Sequence, residues 1–419
     1  MAIVGFAVRA GFILGWANPL ELRGDSVYYH VGGHLLADGK GYLHPIEYAY
    51  RFTEVPGADH PPGYVTFLGF VSSAGFRTVL GHQLWTAALG TITIVVIAFA
   101  GRRLGGSKVG LVAAGLAALN PAIWYPDTEL MSETLATLAV ALIIAAAYRC
   151  WSRPSMGSAG WLGAAFGLGA LSRSELLLVA PLVVAPLVWS QRRDLARAVA
   201  MLTLAALTTS AMIAPWAIYN QTRFDDPVIL SNQLDRTMAA SWCRDTFDGS
   251  NLGYKSYECL SRANQGATTE EGRRRNNERS WKRYAKKRVK RVPAVVAARV
   301  GRVWGLYQPA QQIDFESRVG APYPVKAAVF VVAWIALPFA GVGLWRMRQK
   351  SIPLSPLVGP VIAVTVAAAL TFGQLRYRLP AEPALMLAVS VALGGSGAAG
   401  SRTGATAPFV RPAKRDDER

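Results

Sequence analysis

The sequence contains few charged residues, and especially few acids. Only 17% of its 419 residues are charged, and 26 acids face 44 lysines and arginines. A soluble chain of this size carries roughly 25% charged residues. The hydrophobic residues make up 52% of the chain and come in long blocks instead of amphipathic stripes. The composition therefore excludes an ordinary soluble protein and predicts a chain that crosses a membrane several times.

Cysteines and familiar cofactor motifs are also scarce. The three cysteines form no CxxC pair, and no His-rich ligand spacing is evident, so we expect no structural zinc site. No Walker motif, Rossmann glycine fingerprint or GxSxG sequence is present, so ATPase, dehydrogenase and hydrolase functions lack support. Residues 1–20 contain Arg9 and no small-residue cleavage site, so we expect no cleavable signal peptide.

Apolar windows predict about ten membrane-spanning helices. Two of them are shorter than the roughly 20 residues that a span usually needs. A further segment, 61–80, is apolar but contains three glycines, two serines and Arg77, and we place it in the membrane interface. The predicted spans are 2–19, 84–101, 109–124, 131–148, 159–171, 175–189, 197–218, 323–345, 354–372 and 380–395.

Short basic loops between the spans predict the orientation. Cytoplasmic loops are enriched in Lys and Arg, so both chain ends are predicted to be cytoplasmic. The segments 20–83, 126–132, 172–174, 219–322 and 373–378 would then face outward. The basic residues of the short loops and the tail are Arg102, Arg103, Lys108, Arg149, Arg153, Arg192, Arg193, Arg197, Arg346, Arg348, Lys350, Arg411, Lys414 and Arg415.

The net charge of +18 raises the question of a nucleic-acid partner. Most cations lie in the short loops or in one run at 273–302, so we expect the lipid bilayer as partner and no nucleic acid. Within that run, Trp281 and Tyr284 alternate with cations at helical spacing, which predicts an amphipathic helix on the outer membrane surface. RNA binding is the alternative. Cys243 and Cys259 lie in the same outward loop, where an oxidising compartment would favour a disulfide between them.

Two polar motifs lie in the first outward loop. Asp25 follows the first span in the sequence RGDSVYYH, and a carboxylate flanked by glycine and aromatics such as Tyr28 suits a general base. His60 begins the sequence HPPGY and would place an imidazole near a lipid phosphate. The alternative for both motifs is helix capping, with Asp25 capping the helix that follows it.

Acids and arginines also mark the other outward turns. Asp127 and Glu133 lie where a span begins, a place that the helix dipole favours but where an ionisable group is also a functional candidate. Three outward arginines cannot be cytoplasmic anchors: Arg173 in the sequence SRSE, before Glu175, and Arg376 and Arg378 in the sequence RYRLP. Because the guanidinium fork matches phosphate oxygens, they predict a phosphate or pyrophosphate substrate on the outer face.

The order of these motifs resembles that of GT-C glycosyltransferases, in particular the bacterial relatives of protein O-mannosyltransferases and lipid A aminoarabinose transferases. The shared pattern is an external GD, an external HPP, an acid at the start of a later span and RYRxP near the end, over residues 2–393. The resemblance implies an all-α polytopic fold with a GT-C-like helical bundle. It also implies inverting transfer of a mannose-like or arabinose-like sugar from a polyprenyl-phosphate donor on the external face.

The resemblance further implies roles for individual residues. Asp25 would act on the acceptor hydroxyl, with Glu133 as a second acid, and His60 matches the position of a lysine near the phosphate. Arg376, Arg378 and Arg173 would bind the donor phosphate and stabilise the leaving group. Tyr28, Asp127 and Glu175 are predicted to contact substrate. Phosphate is already a good leaving group, so the chemistry does not demand a metal.

Departures from the pattern leave the acceptor open. Protein O-mannosyltransferases carry two adjacent acids in the first loop, whereas Ser26 follows Asp25 here, which puts a protein acceptor in doubt. The alternative functions are a lipid-phosphate flippase or a cell-wall scaffold without transfer activity. Composition suggests a bacterial plasma membrane. The predicted organisation is a catalytic module at 1–218 with its loop at 20–83, an external loop at 219–322, C-terminal spans at 323–395 and a disordered tail at 396–419.

Overall fold

The computed structural model describes residues 1–17, 21–267, 270–318 and 321–395. Over these ranges the chain is helical, and the only β-type pairing is an isolated bridge between Leu43 and Pro56. The predicted disordered tail at 396–419 lies outside the described residues. The all-α class expected from the apolar blocks is therefore what the described chain adopts.

Ten α-helices make up the N-terminal half. Their long apolar runs favour helices because every backbone polar group is then bonded within its own segment. They are α1 (Ala2–Gly15), α2 (Asp25–Ala37), α3 (Pro45–Arg51), α4 (Gly63–Ser73), α5 (Val79–Leu119), α6 (Pro121–Thr128), α7 (Glu133–Ser152), α8 (Met156–Ser172), α9 (Val179–Ser190) and α10 (Leu195–Gln221).

Six α-helices fill the segment predicted as an external loop, and three apolar helices follow it. The first group is α11 (Leu234–Ser241), α12 (Arg244–Phe247), α13 (Tyr257–Ala263), α14 (Glu270–Lys287), α15 (Val292–Val303) and α16 (Pro309–Ser317). The second is α17 (Tyr323–Gln349), α18 (Ser355–Leu370) and α19 (Glu382–Gly394). Three 3-10 helices connect the α-helices: Ser174–Leu178, Val289–Arg291 and Leu375–Ala381.

The expectation of about ten spanning helices is only partly met. Among the described residues, four helices are long and apolar enough to cross a membrane: α5, α7, α10 and α17. Shorter apolar helices occupy most of the other predicted spans, as in α1, α18 and the continuous segment Ser174–Ser190. A hydropathy window detects an apolar run, but it does not measure where proline, glycine or a polar cap ends the helix. The presence of apolar helices is thus confirmed, but the predicted number of ten spanning helices is not.

Helix α5 is in fact a hairpin of two helical arms. Its backbone leaves helical geometry at Gly105 and Gly106, and Gly106 has a φ of 83° that favours glycine. A Cβ added to Gly110 would meet the carbonyl oxygen of Ala98 at 2.8 Å, so the returning arm packs directly on the first. The two predicted spans at 84–101 and 109–124 correspond to these arms, and the basic residues between them lie at the turn.

The core forms around α7, which packs against α5, α8 and α19. Most of its apolar side chains are fully buried, including Val140, Ile143 and Ile144. Helix α7 is therefore a buried helix at the centre of the bundle and not a lipid-facing helix. Its N-terminal residue Glu133 is only 2% exposed.

The close contact between α17 and α19 depends on one glycine. A Cβ on Gly343 would lie 1.9 Å from the carbonyl oxygen of Ala388, whereas a Cβ on Gly341 of the same helix would meet nothing within 4 Å. We expect Gly343→Ala to lower the free energy of unfolding by about 1–3 kcal/mol because the helices must separate. Thermal unfolding in detergent measures this. Gly341→Ala is the matched control, and equal melting temperatures for both variants would contradict the prediction.

Most of the basic run forms helix α14, and two aromatic side chains of this helix contact protein. Trp281 on α14 donates to Asp235 with 3.0 Å between Nε1 and Oδ1, and its ring packs on Trp242. Tyr284 contacts Phe247 edge-on at 5.2 Å between centroids. These two side chains thus pack against α12 and the end of α11, and the placement of the helix on the outer membrane surface stays a prediction.

Candidate active site

A cavity with a volume of about 470 Å³ lies where the turns that were predicted to face outward meet. Its wall is built from the start of α2, the α6–α7 junction, residues 245–258, α16, the start of α17 and the 3-10 helix Leu375–Ala381. Acids and cations are interspersed on this wall, with aromatic rings between them. The charged lining residues are Arg23, Asp25, Glu129, Glu133, Asp245, Lys255, Glu258, Glu316, Arg318, Lys326 and Arg376.

Asp25 begins α2 at the cavity wall. Gly24 precedes it with a φ of 56°, a conformation that lets the chain turn sharply into the helix. Oδ2 of Asp25 lies 2.7 Å from Nη2 of Arg376, and Oδ1 lies 3.6 Å from Nε2 of His60. Gly24 is the N-cap residue, and no side chain caps this helix. The capping alternative for Asp25 is therefore not what the structure adopts, and its carboxylate faces the guanidinium of Arg376 and the imidazole of His60 instead.

Arg376 links Asp25 to the second acid, Glu133. Its Nε lies 3.4 Å from Oε1 of Glu133, a separation at which the charges attract without an ideal hydrogen bond. Arg173 donates to the same carboxylate oxygen through Nη1 at 2.6 Å and to Glu175 through Nε at 2.6 Å. The guanidinium of Arg173 also stacks on Tyr377 at 5.0 Å from the ring centroid. Two acids of the cavity wall and two arginines thus form one continuous ionic network.

The protonation states follow from this network. Burial raises the pKa of Asp25, but the positive charge of Arg376 and the hydrogen bond with His60 outweigh it, so the pKa lies well below its ordinary value. Burial lowers the pKa of Arg376, and the charges of Asp25 and Glu133 more than reverse that effect. Asp25 is therefore a carboxylate at neutral pH and Arg376 is a cation.

The predicted residues of the first loop lie behind this wall. His60 touches Asp25 from the side, and Tyr28 meets the His60 ring edge-on at 4.8 Å between centroids. Tyr28 is only 4% exposed and lines no part of the cavity. Burial raises the pKa of Tyr28 well above its ordinary value, so its hydroxyl keeps its proton. The structure brings both residues to the site, but as supports of Asp25.

Two other predicted substrate-binding residues lie elsewhere. Asp127 is fully buried, and its Oδ2 accepts from Nε of Arg9 on α1 at 2.5 Å. Arg378 is fully buried as well, and its Nε donates to Glu382 at 3.0 Å. Neither side chain lines the cavity. Both residues were expected to bind substrate. In the structure, both have partners inside the bundle and neither reaches the cavity.

Several lining residues escaped the sequence interpretation. Lys326 is only 3% exposed, and its Nζ donates to Oε1 of Glu129 at 2.8 Å and lies 3.9 Å from the centroid of the Tyr125 ring. A lysine three residues into an apolar helix was a signal for this pair, because charges within such runs are rare unless they function. Lys255 and Glu316 carried no comparable signal in the sequence.

The wall contributed by residues 245–258 is bracketed by a disulfide. Cys243 and Cys259 are bonded, with Cα atoms 6.3 Å apart. Between them lie six lining residues beyond Asp245, among them Tyr254 and Lys255. The crosslink restrains both ends of this segment, which lines the same cavity as Asp25 and Arg376.

The sequence family model for dolichyl-phosphate-mannose-protein mannosyltransferases matches residues 59–219. The matched segment extends from the residue before His60 through Glu133 and Arg173 to the end of α10. The comparison with curated protein sequences returns no match.

Solved structures extend the likeness over nearly the whole chain. The oligosaccharyltransferase AglB of Archaeoglobus fulgidus, in complex with an inhibitory peptide and a dolichol-phosphate, matches with a TM-score of 0.54 and 13% identity over 94% of this chain. The same enzyme with zinc and sulfate gives 0.54 at 14% identity, over 94% of this chain and 49% of that one. ArnT from Cupriavidus metallidurans, bound to undecaprenyl phosphate, gives 0.41 at 12% identity, over 94% and 76%.

The chain spans about half the length of the archaeal oligosaccharyltransferases, covering 50% of the complex with peptide and lipid. At this identity the likeness shows the fold. Together with the family match, it confirms the resemblance drawn from the order of the motifs: this chain has the fold of the GT-C superfamily of glycosyltransferases.

Proposed function

We propose that this protein is a membrane glycosyltransferase that moves a mannose-like or arabinose-like sugar from a polyprenyl-phosphate donor to an acceptor hydroxyl, with inversion, on the external face of a bacterial plasma membrane. One observation carries the proposal. In a GT-C fold, a cavity of about 470 Å³ presents a carboxylate, Asp25, in contact with a cationic arginine, Arg376.

The cationic groups suit a lipid-phosphate donor. Arg376 and Lys255 line the same cavity, and Arg173 supports Arg376 from behind through the shared acid Glu133. Fixed cations aimed at the departing oxygen stabilise the charge that develops on a leaving phosphate. Support for a lipid carrier comes from the AglB complex, which holds a dolichol-phosphate, and from the name of the matched family.

The carboxylate suits the acceptor. Asp25 accepts the proton of the acceptor hydroxyl while the oxygen forms its bond to the anomeric carbon. The bond between that carbon and the phosphate oxygen breaks in the same displacement, and polyprenyl phosphate departs with the electron pair. Attack from the face opposite the leaving group inverts the anomeric centre.

The pairing of Asp25 with Arg376 adds a control on this chemistry. While Arg376 contacts Asp25, the low pKa makes the carboxylate a weak base. A donor phosphate competes for the guanidinium, and its negative charge offsets the field of Arg376 at Asp25. Binding of the lipid phosphate would therefore raise the basicity of Asp25.

The pH dependence tests this electrostatic arrangement. Because the pKa of Asp25 is lowered in the folded protein, its carboxylate stays ionised as the pH falls from 8 to 5. We expect kcat/KM of the free enzyme to show no acid limb from Asp25 in that range. The pH profile of kcat/KM is measured for wild type and for His60→Asn, a variant that removes the neighbouring imidazole. An acid limb above pH 5 that persists in His60→Asn would contradict the prediction.

The function itself is tested by transfer of radiolabelled sugar in membranes that contain the full chain. The donors are a panel of polyprenyl-phosphate sugars, with mannose and arabinose first, and membranes without the protein are the control. We expect transfer from one donor and release of polyprenyl phosphate in equal amount. Absence of transfer from every donor, with acceptor-bearing envelope material added, would overturn the proposal in favour of a flippase or a scaffold.

A further inference from the structure

Three histidines outside the candidate active site lie together where α2, α4 and α5 meet. His30 and His34 are one helical turn apart on α2, and His82 lies in the first turn of α5. One ring nitrogen of each lies within 4.8 Å of the other two. His34 lies nine positions after Asp25, which is about 13.5 Å along the helix axis. The cluster is therefore distinct from the cavity that contains Asp25.

The spacing of the three rings approaches that of a metal site. Nδ1 of His30 lies 3.0 Å from Nδ1 of His82, and the ring centroids of His30 and His34 are 4.4 Å apart. Two nitrogens of a tetrahedral zinc site lie about 3.3 Å apart, given a Zn–N distance of about 2.0 Å. A rotation of the half-buried His34 side chain would be needed to bring the third nitrogen to that distance.

Two of the three histidines, His34 and His82, have a hydrogen-bond partner on the outer ring nitrogen. Nε2 of His34 lies 2.7 Å from the carbonyl oxygen of Arg77. A carbonyl only accepts, so Nε2 bears the proton and Nδ1 keeps a free lone pair. Nε2 of His82 lies 2.9 Å from Oγ of Ser72, a hydroxyl that can either accept a hydrogen bond from the ring nitrogen or donate one to it. Such outer hydrogen bonds orient imidazole ligands in metal sites.

Arg77 is a cationic side chain that bears on the cluster, and its charge acts against a bound cation. Its Nη2 contacts Oδ1 of Asp38 at 2.7 Å. The carboxylate offsets the positive charge of the guanidinium. His82 is fully buried and His34 reaches the surface, so the cluster has a dry inner wall and an open outer side.

We propose that His30, His34 and His82 form a Zn²⁺ site, with a water molecule in the fourth position. Imidazole ligands suit Zn²⁺ and disfavour hard cations such as Mg²⁺. The ion would connect the far end of α2 to α5, and Ser72 of α4 would complete the link. The ion would hold helix α2, whose first residue is Asp25. The ion would take no part in the displacement itself.

Metal binding to the purified full chain tests this site. The protein is prepared in detergent with a histidine-free affinity tag, stripped with a chelator and titrated with Zn²⁺ by calorimetry. We expect one Zn²⁺ per chain and a higher melting temperature. Co²⁺ in place of Zn²⁺ should give the visible spectrum of a nitrogen-ligated tetrahedral ion.

His34→Gln is the decisive variant, because its side chain is half-buried and glutamine can still donate to the Arg77 carbonyl. We expect its Zn²⁺ affinity to fall at least about 100-fold, with the melting temperature of the metal-free protein unchanged. His44→Gln, a histidine of the same loop outside the cluster, is the matched control and should bind as wild type does. The proposal would be overturned if wild type and His34→Gln bound Zn²⁺ with equal affinity, or if wild type bound no Zn²⁺. The site would then be only a hydrogen-bonded histidine pair. None of these readouts depends on transferase activity.

Discussion

Asp25→Asn lowers sugar transfer at least about 100-fold while the protein remains folded, because a positioned general base contributes typically 10²–10⁴-fold. Asparagine has the same shape and can still accept a hydrogen bond from Arg376, so the cavity keeps its geometry. What it loses is the capacity to take the proton of the acceptor hydroxyl. The measurement is the initial rate of radiolabelled transfer from the donor identified in the panel, at equal amounts of membrane protein.

The control for this variant is Asp38→Asn, at the other end of the same helix. Asp38 is exposed and pairs with Arg77, so its transfer rate should match that of wild type. Binding of the donor supplies a second readout, since Asp25→Asn removes a competitor for Arg376 and should not weaken donor binding. Equal transfer by both variants would exclude Asp25 as the base and make Glu133, 3.4 Å from Arg376, the next carboxylate to test.

Arg9→Met lowers the free energy of unfolding by about 3–5 kcal/mol, the cost of leaving a buried charge without its partner. Arg9 and Asp127 are both fully buried, with 2.5 Å between Nε and Oδ2. Methionine fills the volume of the arginine stem but leaves the Asp127 carboxylate uncompensated. Thermal unfolding in detergent, followed by tryptophan fluorescence, measures the loss.

The double variant Arg9→Met/Asp127→Asn shows whether the loss comes from the unpaired charge. Asparagine still bonds to Thr134, whose hydroxyl lies 2.6 Å from Oδ1 of Asp127, and it carries no charge. We expect the double variant to be more stable than Arg9→Met, with an interaction energy of about 0.5–3 kcal/mol. Its transfer rate should stay near that of wild type. A folded double variant without activity would restore Asp127 to substrate binding, as the sequence suggested, and contradict its assignment as a packing residue.

The sequence located much of the candidate site because charge is rare in this chain. An acid or arginine beside a long apolar run stands out, so Asp25, Glu133 and Arg376 could be chosen without a structure. All three were predicted to face the same side of the membrane, and all three line one cavity. The membrane orientation itself stays a prediction, as do the donor sugar and the acceptor.

Arg376 and Arg378 show where the sequence interpretation failed. The sequence RYRLP offers two equivalent arginines, and only the local backbone distinguishes them. In the 3-10 helix Leu375–Ala381 each residue turns by about 120°, so side chains two apart point to different sides. Arg376 reaches Asp25, whereas Arg378 enters the core and pairs with Glu382.

The histidine cluster shows a different limit. His30 and His34 have the spacing of one helical turn, which the sequence analysis did not use when it expected no zinc site. The third histidine, His82, lies 48 residues beyond His34 and joins them only because α4 folds the chain back between α2 and α5. No local pattern could place it there.

The sequence by itself determined the helical membrane class, the GT-C pattern and the acids and arginines at the ends of apolar runs, because hydropathy and charge are local properties of the chain. The tertiary structure alone decided which of those charges share a cavity, which are neutralised in the core and which three histidines meet. The physical reason is that a buried charge must find a partner, and that partner can come from any distance along the chain. Asp127 pairs with Arg9, 118 positions away, and Glu129 pairs with Lys326, 197 positions away.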